Sequence, residues 1–202
     1  AMLGASFACL TTLGTPLLRQ DHLTTLTASV AITVVGQLYL ATLPGEPTIM
    51  SGWRIRHTLA HTLGVEQPKV AILAAVETVN PDMPSTLEAA ALCKMADRGQ
   101  IKGGLLDGPL AFDNAISHEA ARIKRIESHV AGDADILVAP DLEAANMLAK
   151  QLEYLAGASG AGLVVGARLP IALTSRADGP RTRVASAVLA LVAAHQARQD
   201  PI

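Results

Sequence analysis

KVAILAAV (69–76) and ADILVAPD (134–141) are short apolar runs closed off by turn residues, EQP before the first and Pro140-Asp141 at the end of the second. A strand covered by helices on both faces reads as such a continuous aliphatic run, whereas a half-exposed strand alternates. Working outward, RIRHTLAHTLG (54–64) spaces Ile55, Leu59 and Leu63 as on one helix face and stops at Gly64, a residue suited to a helix C-terminus. After the first run, Ser85-Thr86-Leu87-Glu88 has the form of a capping box, in which the Ser85 hydroxyl accepts from the amide at Glu88 and opens a helix running to Gly99. GGLLDGPLAFDNAIS (103–117) predicts a short strand and a loop, and HEAARIKRIESH (118–129) a further helix. Asp141 is placed to cap the helix LEAANMLAKQLEYLAG (142–157). AGLVVGA (161–167) and LPIALTS (169–175) are two more strand candidates, followed by a polar RADGPRTR (176–183) and a helix over about 182–196. Alternating strands and helices predict an α/β fold, a mostly parallel sheet with helices on both faces and ligand crevices beyond the carboxyl ends of its strands.

Composition agrees with this layering. The chain has 202 residues, of which 50% are hydrophobic and only 2% aromatic, so its core must be aliphatic. A formal net charge of -2 supplies no positive field to collect nucleic acid, which is not an expected partner. Cys9 and Cys93 lie far apart without metal-ligand spacing, and both read as small core hydrophobes. The uncharged stretch 23–43 is long enough to span a bilayer, but its threonines, Ser29, Gly36 and Gln37 favour paired buried strands. Residues 1–18 carry no charge and therefore lack the basic start of a secretory signal. The expected setting is cytoplasmic, without a membrane span.

Four loops carry groups suited to chemistry. VETVNPDMPST (76–86) presents Glu77 and Asn80 after a strand, either as a ligand contact or as a helix entry. In DGPLAFDNAIS (107–117), Asp107, Gly108 and Pro109 are expected to fix a tight turn, with Asp113 and Asn114 facing a cleft. Around ADILVAPD, Asp133 and Asp135 precede the strand, while Asp141, Glu143 and Asn146 begin the next helix, where acids also stabilise the helix dipole. LTSRADGPRTR (173–183) gathers Ser175, Arg176, Arg181 and Arg183 where a strand passes into a helix, a setting suited to phosphate.

The order and wording of these loops resemble one family. DGPLAFDNA, APDLEAANML and TSRAD, in this sequence over about three-quarters of the chain, resemble the C-terminal portion of the phosphate acetyl/butyryltransferases. The resemblance implies a transferase of EC 2.3.1 type that moves an acetyl, butyryl or similar acyl group between coenzyme A and inorganic phosphate. Both are substrates, with no permanently bound cofactor and no metal. It implies an isocitrate/isopropylmalate dehydrogenase-like layered α/β fold, two lobes flanking a cleft, and a homodimer. Ser175, Arg176 and Asp178 correspond to the catalytic residues: the arginine for phosphate or acyl oxygen, the serine for the transition state, the aspartate as candidate base. Asp107, Pro109, Asp113, Asp141, Glu143, Asn146 and Arg181 would bind substrate or support its loops. Relatives commonly carry glycine where this chain has Ala145. They are also longer on the N-terminal side, so residues 1–53 are expected to be a diverged remnant of the first lobe, which stays incomplete. Residues 54–202 carry the transferase-like region, with 168–202 returning to the first lobe. A catalytically impaired coenzyme A binding or dimerisation module is the alternative, and a dehydrogenase on the same fold lacks a nicotinamide or metal motif.

Overall fold

The computed structural model describes residues 30–35, 38–42, 65, 67–165 and 169–199. Seven strands form one sheet: β1 (Val30–Val35), β2 (Leu38–Thr42), β3 (Lys69–Leu73), β4 (Leu105–Leu110), β5 (Ile136–Ala139), β6 (Gly162–Val165) and β7 (Ile171–Ala172), in the spatial order β4-β3-β5-β2-β1-β6-β7. The helices among the described residues are α1 (Pro84–Asp97), α2 (Phe112–Ile116), α3 (His118–Ile123), α4 (Leu142–Leu155) and α5 (Pro180–Gln199). The α/β class stands. The parallel pairing holds across β4-β3-β5-β2, while β1, β6 and β7 join antiparallel. The stretch 23–43 thus contributes a strand pair, and among the described residues no helix is long and apolar enough to cross a membrane. The helix expected over 54–64 lies outside the described residues.

The two aliphatic runs that announced the sheet split by residue parity into two cores. Val70, Ile72, Ile136 and Val138 join Ala89 and Leu92 of α1 and Ala193 of α5 on one face. Ala71, Leu73, Leu137 and Ala139 join Ala115 of α2, Ala121 of α3 and Ala145 and Ala149 of α4 on the other. Successive side chains on a strand point to opposite faces, so a run without polar interruptions serves both. Each fully buried Ile, Leu or Val contributes about 1.5–3 kcal/mol relative to exposure, so the six such residues among these eight positions contribute heavily to the sheet's stability. The Ala145 methyl is 1% exposed and packs in the second core.

Two local expectations need correction. The capping box at Ser85 does not form, because the helix starts two residues earlier than that cap requires, at Pro84, after an N-cap Met83 that makes no side-chain cap bond. Proline's fixed φ suits the first helical position. The buried Thr86 hydroxyl ties the loop instead: it accepts from Asn80 N (2.9 Å) and shares its single proton between Met83 O (2.8 Å) and Asn80 O (3.0 Å). At the other end of α1 the expected stop holds. Gly99, at φ +71, donates to Ala96 O and Gln100 N to Met95 O, the paired bonds of a Schellman turn.

Asp107, Gly108 and Pro109 are not a tight turn but lie inside β4. β4 is the outermost strand of its side, where proline's missing N–H removes no bond that a further strand would need. The Gly108-Pro109 peptide is cis, and the pairing with β3 shifts register between Ala71 and Leu73.

Cys93 of α1 is half-buried against the first core and its Sγ lies 3.6 Å from Gly108 O, in keeping with a packing role. Burial, then the charges of Asp107 and Asp97, push its thiol from an ordinary 9.0 to about 12. The thiolate is the reactive form, so near pH 8 about a thousandfold less of it is present than for an unperturbed thiol. In a Cys9→Ser chain, iodoacetamide should label native Cys93 slower by two orders of magnitude or more than in urea; equal rates would refute the burial effect.

Candidate active site

Polar groups gather at two opposite edges of the sheet. β3, β4 and β5 run in one direction, and their carboxyl ends deliver Glu77, the Asp113-Asn114 pair and Asp141 to one edge. β3 is followed by α1 on one face and its neighbour β5 by α4 on the other, so the chain diverges there as at the ligand crevices of open α/β sheets. Lys124, just past α3, ties the corner together: its Nζ is 3.1 Å from the Asp113 carboxylate and 3.4 Å from Glu77 Oε2. That contact holds the Asp113 carboxyl below its ordinary range and raises Lys124. Asn114 is fully buried, with Nδ2 3.4 Å from Glu77 Oε2 and an Oδ1 that has no partner.

Other candidates have structural work. Asp141 caps α4, its Oδ1 accepting from Ala144 N at 2.7 Å, and exposed Glu143 sits in the first turn. Asn146 is half-buried on the same helix. Asp107 is half-buried in β4 and accepts from Gly108 N at 2.8 Å, with Pro109 buried beside it. Asp133 and Asp135 brace the amino ends of β3 and β5, through an ion pair to Lys69 Nζ and a 2.8 Å bond from Lys69 N. Lys124 was not legible as a partner of Glu77, since only folding brings positions 47 residues apart together.

The Ser175 loop lies at the other edge. β6 runs with the parallel block and β7 runs against it, so the chain leaves β7 where the parallel strands begin. The sheet order also places β2, β1 and β6 between β5 and β7, so this loop is not brought together with Asp113 or Asp141. Within the loop, Ser175 N donates to Asp178 Oδ2 (2.7 Å), Asp178 N donates to Ser175 O (3.2 Å) and Ala177 N to Ser175 Oγ (3.3 Å). Ser175 and Asp178 are half-buried, whereas Arg176 and Arg181 are exposed. The loop is anchored through α5, whose buried Ser186 hydroxyl accepts from Gly162 N (2.8 Å) and donates to Thr182 O (2.7 Å). Arg183, grouped by sequence with the anion-binding donors, instead turns back onto the carbonyls of Ser175, Arg176 and Asp178.

Charge separates the two edges chemically. Three carboxylates against one lysine repel phosphate at the carboxyl edge, while two exposed guanidiniums beside a hydroxyl attract it at the Ser175 loop.

Comparison with known proteins identifies the family. Residues 55–191 match the family described as phosphate acetyl/butaryl transferase. The chain is 69% identical over 135 residues to the phosphate acetyltransferase of Rhizobium meliloti, covering 66% of this chain and 43% of that protein. It is 54% identical over 138 residues to a probable phosphate butyryltransferase of Bacillus subtilis, covering 68% and 46%. The chain thus spans less than half the length of these curated relatives. Among solved structures, a branched-chain phosphotransacylase from Enterococcus faecalis superposes with a TM-score of 0.71 at 31% identity, covering 83% of this chain and 63% of that one. The match over 55–191 contains both the Glu77–Lys124 corner and the Ser175–Arg183 loop, and by it this chain belongs to the phosphate acetyl/butaryl transferase family.

Proposed function

We propose that this chain carries the phosphate-handling part of an acyltransferase that moves an acetyl, butyryl or similar group between coenzyme A and inorganic phosphate. The observation that carries this reading is the cationic Ser175–Arg176 loop inside a family match covering 55–191. In the direction of acyl phosphate synthesis, a phosphate oxygen attacks the thioester carbonyl carbon, the carbonyl becomes an oxyanion, and collapse breaks the carbon–sulfur bond. The coenzyme A thiolate leaves and takes up a proton. The exposed Arg176 guanidinium is suited to hold phosphate or the acyl oxygen, and Arg181, on the first turn of α5, adds a second cation. The Ser175 hydroxyl donates to charge developing in the transition state. Asp178 has Oδ2 bonded to Ser175 N, and Oδ1 is the oxygen we assign to exchanging the thiol proton. Coenzyme A and phosphate enter as substrates, with no resident cofactor.

The same reading takes the chain as cytoplasmic, its strands as part of an isocitrate dehydrogenase-like layering and 168–202 as returning to a first lobe. A homo-oligomer fits the exposed Val184, Val188 and Leu191 along one side of α5. The test is release of thiol from acetyl- and butyryl-CoA, which should require phosphate. Arg176→Ala should lower kcat/KM by about 10²–10³-fold, the usual loss on removing one transition-state donor. Thiol release that ignores phosphate, or that survives Arg176→Ala unchanged, refutes the proposal.

A further inference from the structure

We propose that Arg183 is a positioning residue for the reaction, holding the Ser175–Asp178 turn in the shape that presents the serine hydroxyl and the Arg176 guanidinium. The choice of reaction rests on the acyl transfer proposed above, but the geometry stands by itself. One guanidinium serves three stations of the turn: Nε donates to Asp178 O at 3.0 Å, and Nη2 lies 3.3 Å from both Ser175 O and Arg176 O. Arg183 stands in the first turn of α5 and its own N–H donates to Gly179 O, so the side chain points back over the loop that precedes the helix.

The rest of the turn has few other restraints. It is closed by the Asp178 bonds to Ser175 and the weak Ala177 N contact to Ser175 Oγ. Gly179 has open space where a side chain would lie, so packing does not fix the turn there. The planar fork of arginine can reach carbonyls on either side of a turn simultaneously, whereas a lysine ammonium binds as a point. Arg183 thereby differs from its exposed neighbours. With Nε and Nη2 already directed at backbone, its donors serve the turn first, and phosphate is left to Arg176 and Arg181.

Because Arg183 is exposed, Arg183→Ala should change Tm little while lowering kcat/KM by about tenfold to a hundredfold, since a displacement near 1 Å at the reacting groups has that effect. The loss should fall on kcat more than on the KM for phosphate. Arg183→Lys should recover only part, and added guanidinium ion should partly rescue the alanine variant. Independently of turnover, hydrogen exchange at Ala177 and Asp178 should quicken severalfold in Arg183→Ala. Unchanged exchange there overturns the positioning role, whatever the enzyme's activity. A rise confined to the KM for phosphate also overturns it and makes Arg183 a direct ligand. Wild-type turnover that ignores phosphate, with quickened exchange in the variant, removes the acyl-transfer reading and leaves the strap intact.

Discussion

Gly132→Ala should destabilise the chain by about 2–5 kcal/mol, one of the largest effects of any single methyl group in this fold. Gly132 sits at φ +85, and a Cβ built there would be 2.6 Å from both Cα and Nδ1 of His118 and 2.7 Å from its amide nitrogen. The Nδ1 contact could be relieved by rotating the imidazole. The Cα and N contacts cannot, because they belong to the first residue of α3. Two costs therefore combine, left-handed backbone at about 1–2 kcal/mol and a backbone collision at about 1–3 kcal/mol or more. For a chain of this size the sum lowers Tm by roughly 10 °C. Gly157→Ala is the control, since Gly157 has φ +67 with nothing within 4 Å and should show the conformational cost alone. Equal effects of the two substitutions, measured by urea unfolding, would refute the collision. The position also matters for the carboxyl edge, because Gly132 N donates to Asn114 O at 2.8 Å and so fixes the residue beneath Glu77 and Lys124.

What the sequence disclosed follows from which signals are local. KVAILAAV and ADILVAPD form adjacent inner strands of the sheet, and their uninterrupted aliphatic character correctly implied helices on both sides. Asp141 as a helix cap and Gly99 as a helix end were legible too, because each depends on neighbours within a few residues. Asp-Gly-Pro misled, since its usual reading as a turn depends on the trio being solvated. Here it is the inner part of an edge strand, a placement decided by Ile72 and Ala89 packing against Gly108. Ser85 misled because Pro84 competes for the helix start, and proline needs no cap to begin one. At the candidate site, Ser175, Arg176 and Asp178 fall on one turn, whereas the direction of the Arg183 side chain was not legible. A guanidinium that seeks phosphate and one that straps carbonyls have the same sequence signature, and only the direction of the side chain separates them. The separation of the acidic corner from the cationic turn was equally hidden, because it depends on β7 running against β6.

That separation makes the outer strand β4 worth disturbing by itself, and Gly108→Ala should cost about 3 kcal/mol without any backbone strain of the left-handed kind. A Cβ at Gly108 would lie 2.7 Å from the Cβ of Ile72 and 2.8 Å from its carbonyl oxygen, with Ala89 Cβ at 3.3 Å. Ile72 is 6% exposed in the first core and cannot retreat, because α1 closes it off through Ala89 and Leu92. The obvious repair fails on inspection: Ile72→Ala trims the branches but keeps both colliding atoms. The double variant should therefore be at least as unstable as the sum of the two single variants, Ile72→Ala alone costing about 2–5 kcal/mol. Relief of the Gly108→Ala defect by Ile72→Ala would show that the contact is with the side-chain branches and would refute this geometry. Chain continuity carries the disturbance onward: Leu110 pairs with Leu73, and two residues later α2 begins with Phe112, Asp113 and Asn114. A β4 forced away from β3 must loosen the Asp113–Lys124–Glu77 corner, while the Ser175 turn, held by Asp178, Arg183 and Ser186 at the opposite edge, keeps its hydrogen bonds. Hydrogen exchange in Gly108→Ala should accordingly rise across 105–117 and stay unchanged across 173–180.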